Sequence, residues 1–156
     1  MSAHSEIREA VRRYAKEQLA PNAARWDREH HFPRDELRAL GELGAMGVVI
    51  PDRHGGAGLD YVSLALTLEE IAAGDGATST IVSVQNSVVC GPIFAFGDEK
   101  QKTKYLGPLA RGEALGCFCL TEPHVGSDAG AIVIAGVWLL NRPARNVPAP
   151  IAAGAA

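Results

Sequence analysis

The residues best suited to chemistry lie in one run: Phe118-Cys119-Leu120-Thr121-Glu122-Pro123-His124-Val125-Gly126-Ser127-Asp128-Ala129-Gly130-Ala131. Here an apolar stretch gives way to a polar, glycine-bearing turn. Backbone groups leaving a strand end can hydrogen-bond the edge of a planar heterocycle, the Thr121 hydroxyl can meet a ring nitrogen, and Gly126 permits close backbone approach. These residue types suit cofactor binding, but on physics alone they describe one loop among many.

Other reactive groups carry less. Cys117 and Cys119, two apart on an expected strand, project from one face about 6.6 Å apart by strand rise, which could begin a metal site. Two further ligands are lacking and only His124 is near in sequence, so two buried core thiols and no metal are expected. Ser127-Asp128 has no positioned histidine and makes no nucleophile. His30, His31 and His54 sit in polar surroundings, where a solvated surface histidine is the default. The glycines of the run Val48 to Gly58 lack the strand-to-helix frame of a phosphate cradle, so a structural turn is expected there.

The elements that must position the loop read as helices. Ile7, Ala10, Val11, Tyr14, Ala15 and Leu19 form one stripe of a helix that Pro21 should limit. A second helix starts near Phe32-Pro33 and carries Leu37, Leu40 and Leu43 inward. Asp60 caps a third, Tyr61 to roughly Ala73, with Leu64, Leu68 and Ile71 inward and Glu69 and Glu70 towards solvent. The β-branched run from Ala77 to Ile93 is too long for a strand, so a buried helix is expected. Asp98 and Gln101 read as a capping box opening a helix that Gly107-Pro108 interrupts. Ala114 to Thr121 reads as a short strand, apolar on both faces and therefore buried. Arg8, Arg12, Arg13 and Lys16 interleave with Glu6, Glu9 and Glu17, the pattern of a solvated helix face.

Composition bounds the class. The chain has 156 residues, 47% of them hydrophobic and 21% charged, with a net charge of −3. That is the size of one globular domain, and a mildly acidic balance offers no draw for nucleic acid or anionic membrane. Three cysteines do not suggest a disulfide framework, so a reducing compartment is expected. A polar, charged beginning and a longest apolar run, Ile132 to Leu140, too short to span a bilayer lead to the expectation of a cytoplasmic protein.

Four motifs in order resemble the acyl-CoA dehydrogenase family. They are Trp26-Asp27-Arg28-Glu29 with Phe32-Pro33, Gly55-Gly56-Ala57-Gly58-Leu59-Asp60, Gly97-Asp98-Glu99-Lys100-Gln101-Lys102 with Tyr105-Leu106, and Leu120-Thr121-Glu122-Pro123 followed by Gly126-Ser127-Asp128 and Ala131. Together they cover residues 4–131. Val125 departs from the family signature, where a small residue is usual. The resemblance implies a mostly α fold: an amino-terminal helical domain over 1–112, then the first strand of an incomplete FAD-contacting β-domain over 113–131. It implies α,β-dehydrogenation of an acyl-CoA thioester with FAD as cofactor, electron-transfer flavoprotein as electron acceptor, and a homotetramer.

By position, the resemblance implies that Phe118, Cys119, Leu120 and Thr121 line the flavin, with Gly126 and Ser127 completing the cofactor contact and Ser127 also reaching the CoA substrate. The helix around Val84 to Val89 would wall the acyl chain. No catalytic residue is expected in this chain, because the family's base comes from a carboxy-terminal helical bundle and Glu122 is a structural member of its turn. Residues 132–156 depart from the family, and their proline- and alanine-rich ending reads as a disordered tail, consistent with a truncation and a change of reading frame. Such a chain would leave the edges of its strand unpaired. It would then retain no FAD by itself and be inactive. The alternative is a non-catalytic helical interaction module.

Overall fold

The computed structural model describes residues 3–131 together with two strands at 136–139 and 151–152. The first helix does not stop at Pro21. Helix α1 (Ala3–Tyr14) passes through a π-helical turn, Ala15–Leu19, directly into α2 (Ala20–Glu29). Proline lacks an N–H and its ring strikes the carbonyl four residues back, which is why the sequence predicts an end there. A π turn widens the backbone ring, and here it lies immediately upstream of the proline.

The same solution recurs twice among the described residues. Helix α5 (Gly76–Val84) runs through the π turn Gln85–Cys90 into α6 (Gly91–Phe96), whose second residue is Pro92. Helix α7 (Glu99–Gln101) runs through Lys102–Leu106 into α8 (Gly107–Ala110), with Pro108 second. Gly107-Pro108 therefore continues the helix that it was expected to interrupt. Between these lie α3 (Arg34–Glu42) and α4 (Tyr61–Gly74). The expected caps form: the Asp60 carboxylate accepts from Ser63 N at 2.8 Å, and Asp98 and Gln101 make the reciprocal capping box.

One core joins the α1 stripe Ile7, Val11, Ala15 and Leu19 to Trp26, Leu37 and Leu40, Leu64 and Ile71, and Val82. A second gathers Ile50, Val89, Cys90, Ile93, Leu106 and Leu109. Burial of large aliphatic side chains at about 1.5–3 kcal/mol each is what holds the helices together. The helical stretch Gly76–Phe96 joins both cores. It is also long and apolar enough to cross a membrane by length and composition. Its midpoint carries the buried amides Gln85 and Asn86, which bond to groups of this protein.

The second half of α1 and the last turns of α4 are locked by charge. Arg8 Nε donates to Glu70 Oε1 at 2.7 Å, while Arg12 Nε and Nη2 donate to Oε2 and Oε1 at 2.9 and 2.6 Å. Glu70 is only 8% exposed, contrary to its expected place towards solvent, whereas Glu69 is exposed. The amphipathic stripe of α4 places Glu70 beside Ile71 on the face that meets α1, and two arginines make that burial tolerable. Arg8 and Arg12 are accordingly tied residues within what reads as a solvated face.

The β part is small. Strand β1 (Gly116–Cys119) pairs antiparallel with β2 (Gly136–Leu139), with Cys117 opposite Trp138 and Phe118 opposite Val137; β2 pairs in turn with β3 (Ile151–Ala152). One edge of β1 is therefore paired, and two strands stand within the stretch read as a disordered tail. The prolines and alanines at 140–150 and 153–156, read as a disordered tail, lie outside the described residues. Nor is β1 buried: Phe118 is 36% exposed, and Leu120, just past its end, 37%.

Candidate functional site

The loop after β1 is held in place by a helix residue. Gln85 is fully buried; its Nε2 donates to Leu109 O at 2.9 Å and Ala114 O at 3.0 Å, and its Oε1 accepts from Gly116 N at 3.0 Å. One amide thus ties α8, the approach to β1 and the first residue of β1 to the Gly76–Phe96 stretch. Asn86, next to it, accepts from Val48 N at 2.8 Å and donates to Ala45 O and Val82 O. Gly116 packs so tightly on the same helix that a Cβ there would meet Val89 Cγ1 at 2.3 Å. The strand can lie on the helix only because that side chain is missing.

Side chains alternate across a strand, so Gly116 and Phe118 face one way and Cys117 and Cys119 the other. The two sulfurs lie 3.8 Å apart. Cys117 is half-buried and Cys119 exposed, so neither is the buried core thiol that the sequence suggested. The third, Cys90, is buried, and desolvation pushes its thiol up to about 12, which keeps it protonated and inert.

Beyond β1 the chain makes a tight reversal. Glu122 N donates to Val125 O at 2.8 Å and Val125 N to Glu122 O at 3.2 Å, with Pro123-His124 at the tip. The Glu122 carboxylate, with its side chain only 10% exposed, pairs with His124 Nε2 at 3.2 Å. The partial burial of Val125 shows that the turn accommodates the larger residue where the signature has a small one. Gly126 comes back against Thr121: a Cβ there would sit 3.4 Å from Thr121 Cγ2 and 3.8 Å from its Oγ1. The turn thus brings Gly126 within van der Waals reach of the Thr121 side chain. Thr121 and Ser127 are both exposed.

The structure places Phe118, Cys119, Leu120, Thr121, Gly126 and Ser127 along one strand-and-turn ledge, with Phe118 and Cys119 on opposite sides of the strand and Thr121 and Ser127 exposed. That donor set fits one side of a planar, amphipathic cofactor such as FAD. The acyl-wall candidates lie on the Gly76–Phe96 stretch, where Ser87 is exposed and Val84 and Val88 are partly exposed. Gln85 was not legible as a positioning residue; a buried amide pair in an apolar run was its only sequence signal.

Residues 1–113 match the model of the acyl-CoA dehydrogenase N-terminal domain. The short-chain specific acyl-CoA dehydrogenase, mitochondrial, of Rattus norvegicus is 44% identical over 128 residues, covering 82% of this chain and 31% of that protein. A glutaryl-CoA dehydrogenase from Mycobacterium smegmatis, solved in complex with FADH2, superposes with a TM-score of 0.78 at 32% identity, over 89% of this chain and 38% of that one. A structure described as the electron transferring flavoprotein of Acidaminococcus fermentans gives 0.78 at 31% identity, over 88% and 40%. The chain therefore spans about a third of the length of the curated relatives it matches. With the helical order, the anchored loop and these matches together, the chain belongs to the acyl-CoA dehydrogenase family.

Proposed function

We propose that this chain supplies the amino-terminal helical wall and the flavin-contacting loop of an FAD-dependent enzyme that oxidises an acyl-CoA thioester across its α,β carbon–carbon bond. The observation that carries this is the Thr121–Ser127 ledge, hydroxyls outward, on a strand that Gln85 fastens to a buried helix. When bound, FAD supplies the hydride acceptor. Thr121 would hold the ring edge through its hydroxyl, backbone groups from Phe118 to Thr121 would line it, Gly126 would keep the approach clear, and Ser127 would contact FAD or the CoA portion. Val84, Ser87 and Val88 would wall the acyl chain and exclude water. Glu122 holds the turn through His124, so the proton-abstracting carboxylate is assigned to the family's carboxy-terminal helices.

The proposed setting is cytoplasmic, on the low cysteine count, with electron-transfer flavoprotein as acceptor, a homotetramer as assembly and neither nucleic acid nor membrane as partner. A chimera of residues 1–131 with the remaining two thirds of the rat relative tests the reading. Butyryl-CoA should bleach its flavin anaerobically. T121A should lower that rate at least tenfold, which is the range expected when one positioned hydrogen bond to the reacting group is lost. A yellow chimera unbleached by any acyl-CoA would sink the proposal.

A second reading, a non-catalytic helical module, is favoured by exposed apolar residues: Phe96 is 84% exposed and Tyr61 76%. A chimera that elutes on size exclusion as a stable monomer or dimer and stays flavin-free in the presence of FAD would support it.

A further inference from the structure

We propose that Gln85 is a positioning residue that sets the spacing between the acyl wall and the flavin ledge, and with it the rate at which a bound thioester reduces the flavin; this rests on the flavin-enzyme reading of the chain. Two opposed constraints meet at Gly116. The 3.0 Å bond from its N–H to Gln85 Oε1 draws β1 towards the Gly76–Phe96 stretch, and Val89, whose Cγ1 would lie 2.3 Å from a Cβ at position 116, stops it. A backbone drawn in from one side and blocked on the other stands at one height in a close-packed interior. Thr121 follows on the same strand-and-turn ledge and takes its place from that height.

The wall grows from the same helical turn. Val84 immediately precedes Gln85, and Ser87 and Val88 follow it within Gln85–Cys90; these three keep some exposure while Gln85 and Asn86 are buried. Wall and anchor are therefore two sides of one turn. The amide of Gln85 has one usable orientation: it donates to Leu109 O and Ala114 O at 2.9 and 3.0 Å and accepts from Gly116 N, and a flipped amide would set its oxygen against both carbonyls. These partners are all backbone groups, and Arg111 and Glu113 on the same segment pair with each other at 2.7 Å. A thioester aligned for hydride transfer must meet wall and ledge at once, and a misplacement of about 1 Å can cost about 100-fold in rate.

The 156-residue chain reads the position, and the chimera of residues 1–131 with the rat relative reads the rate. In the chain, Q85A should lower the hydrogen-exchange protection of Gly116 N–H at least about tenfold while core amides such as that of Val11 keep theirs, the mark of a local release. Q85E keeps the length and the acceptor, but its carboxylate has no proton for the two carbonyls, and burial beside them raises its pKa. Butyryl-CoA should therefore reduce the Q85E chimera at least about tenfold more slowly than the unmutated one at about pH 8, with KM within about twofold, and the ratio should recover by about pH 6 as the carboxyl regains a donor. I71V, which loosens the first core alone, should leave the rate unchanged. Full Gly116 protection in Q85A, a Q85E rate equal to the unmutated one at about pH 8, a loss that acid does not restore, or an equal loss in I71V would overturn the assignment. An unmutated chimera that butyryl-CoA cannot bleach sinks the flavin reading instead, and Gly116 exchange in the chain still decides whether Gln85 holds the strand.

Discussion

A carboxylate that accepts three hydrogen bonds from two guanidinium groups gives up its charge only in strong acid. Those bonds, from Arg12 above all, pull Glu70 from its ordinary 4.5 down to about 2, against the opposing cost of desolvation. A depressed folded-state value means stability that is full above the unfolded value and is lost as pH falls towards 2. Asp60 is lowered to about 2 in the same sense, chiefly by the backbone bond from Ser63 and then by His4. Urea midpoints should therefore fall between about pH 5 and pH 2, and E70Q should flatten that profile while lowering the midpoint at neutral pH. An unchanged slope in E70Q would refute the assignment. Gln85 makes the second residue-scale prediction: Q85L should cost about 1–3 kcal/mol, because it removes the side-chain partner of Ala114 O and Gly116 N and leaves Leu109 O with the bond from Gly112 N. Denaturant melts measure it. Thr121, Gly126 and Ser127 were legible as a cofactor turn because glycine and hydroxyl types carry their chemistry in their names. Glu70 and Gln85 were not, because a charged or amide residue declares itself buried only through partners that are 58 and 31 positions away in the chain.

At the scale of elements, the contact of β1 with the Gly76–Phe96 stretch is a steric fit with no slack. G116A should drive its methyl into Val89 and destabilise by about 1–3 kcal/mol, and V89A should restore part of that loss in the double variant. Thermal melts of the four proteins close the cycle, and strict additivity would mean that the two residues do not meet. The capped starts of α4 and α7 were readable, since Asp60 and Asp98 satisfy local donors within three residues. The prolines were misleading. Local chemistry says that Pro21 and Pro108 end helices; tertiary packing on both sides keeps the helices going, and a wide turn absorbs the conflict. The strands at 136–139 and 151–152 were hidden for the opposite reason, because their pairing depends on register and short apolar runs carry little of it.

For the whole molecule, the two cores lie in the helices, while the ledge with Thr121 and Ser127 is peripheral and open. An open ledge offers a flavin one side only. Fluorescence titration of the 156-residue chain with FAD should therefore show no saturable quenching at micromolar flavin, whereas helical circular dichroism persists unchanged. Tight binding by the chain alone would show that the ledge suffices.

Each π turn also holds one residue more than an uninterrupted α-helix needs. Removing one residue from a helix rotates everything after it by about 100°, which in α4 would carry Thr67, Glu70 and Ile71 off their buried face. Deleting exposed Ser87 from Gln85–Cys90, together with Pro92→Ala, should instead let the surplus collapse into regular helix and leave Ile93 still inward. The melting temperature should then move by only about 2–4 °C per kcal/mol of residual strain, whereas deletion of exposed Ala65 in α4 should abolish cooperative unfolding. The helices of this domain are thus length-tolerant at three addresses, places where an inserted or lost residue need not propagate into the core.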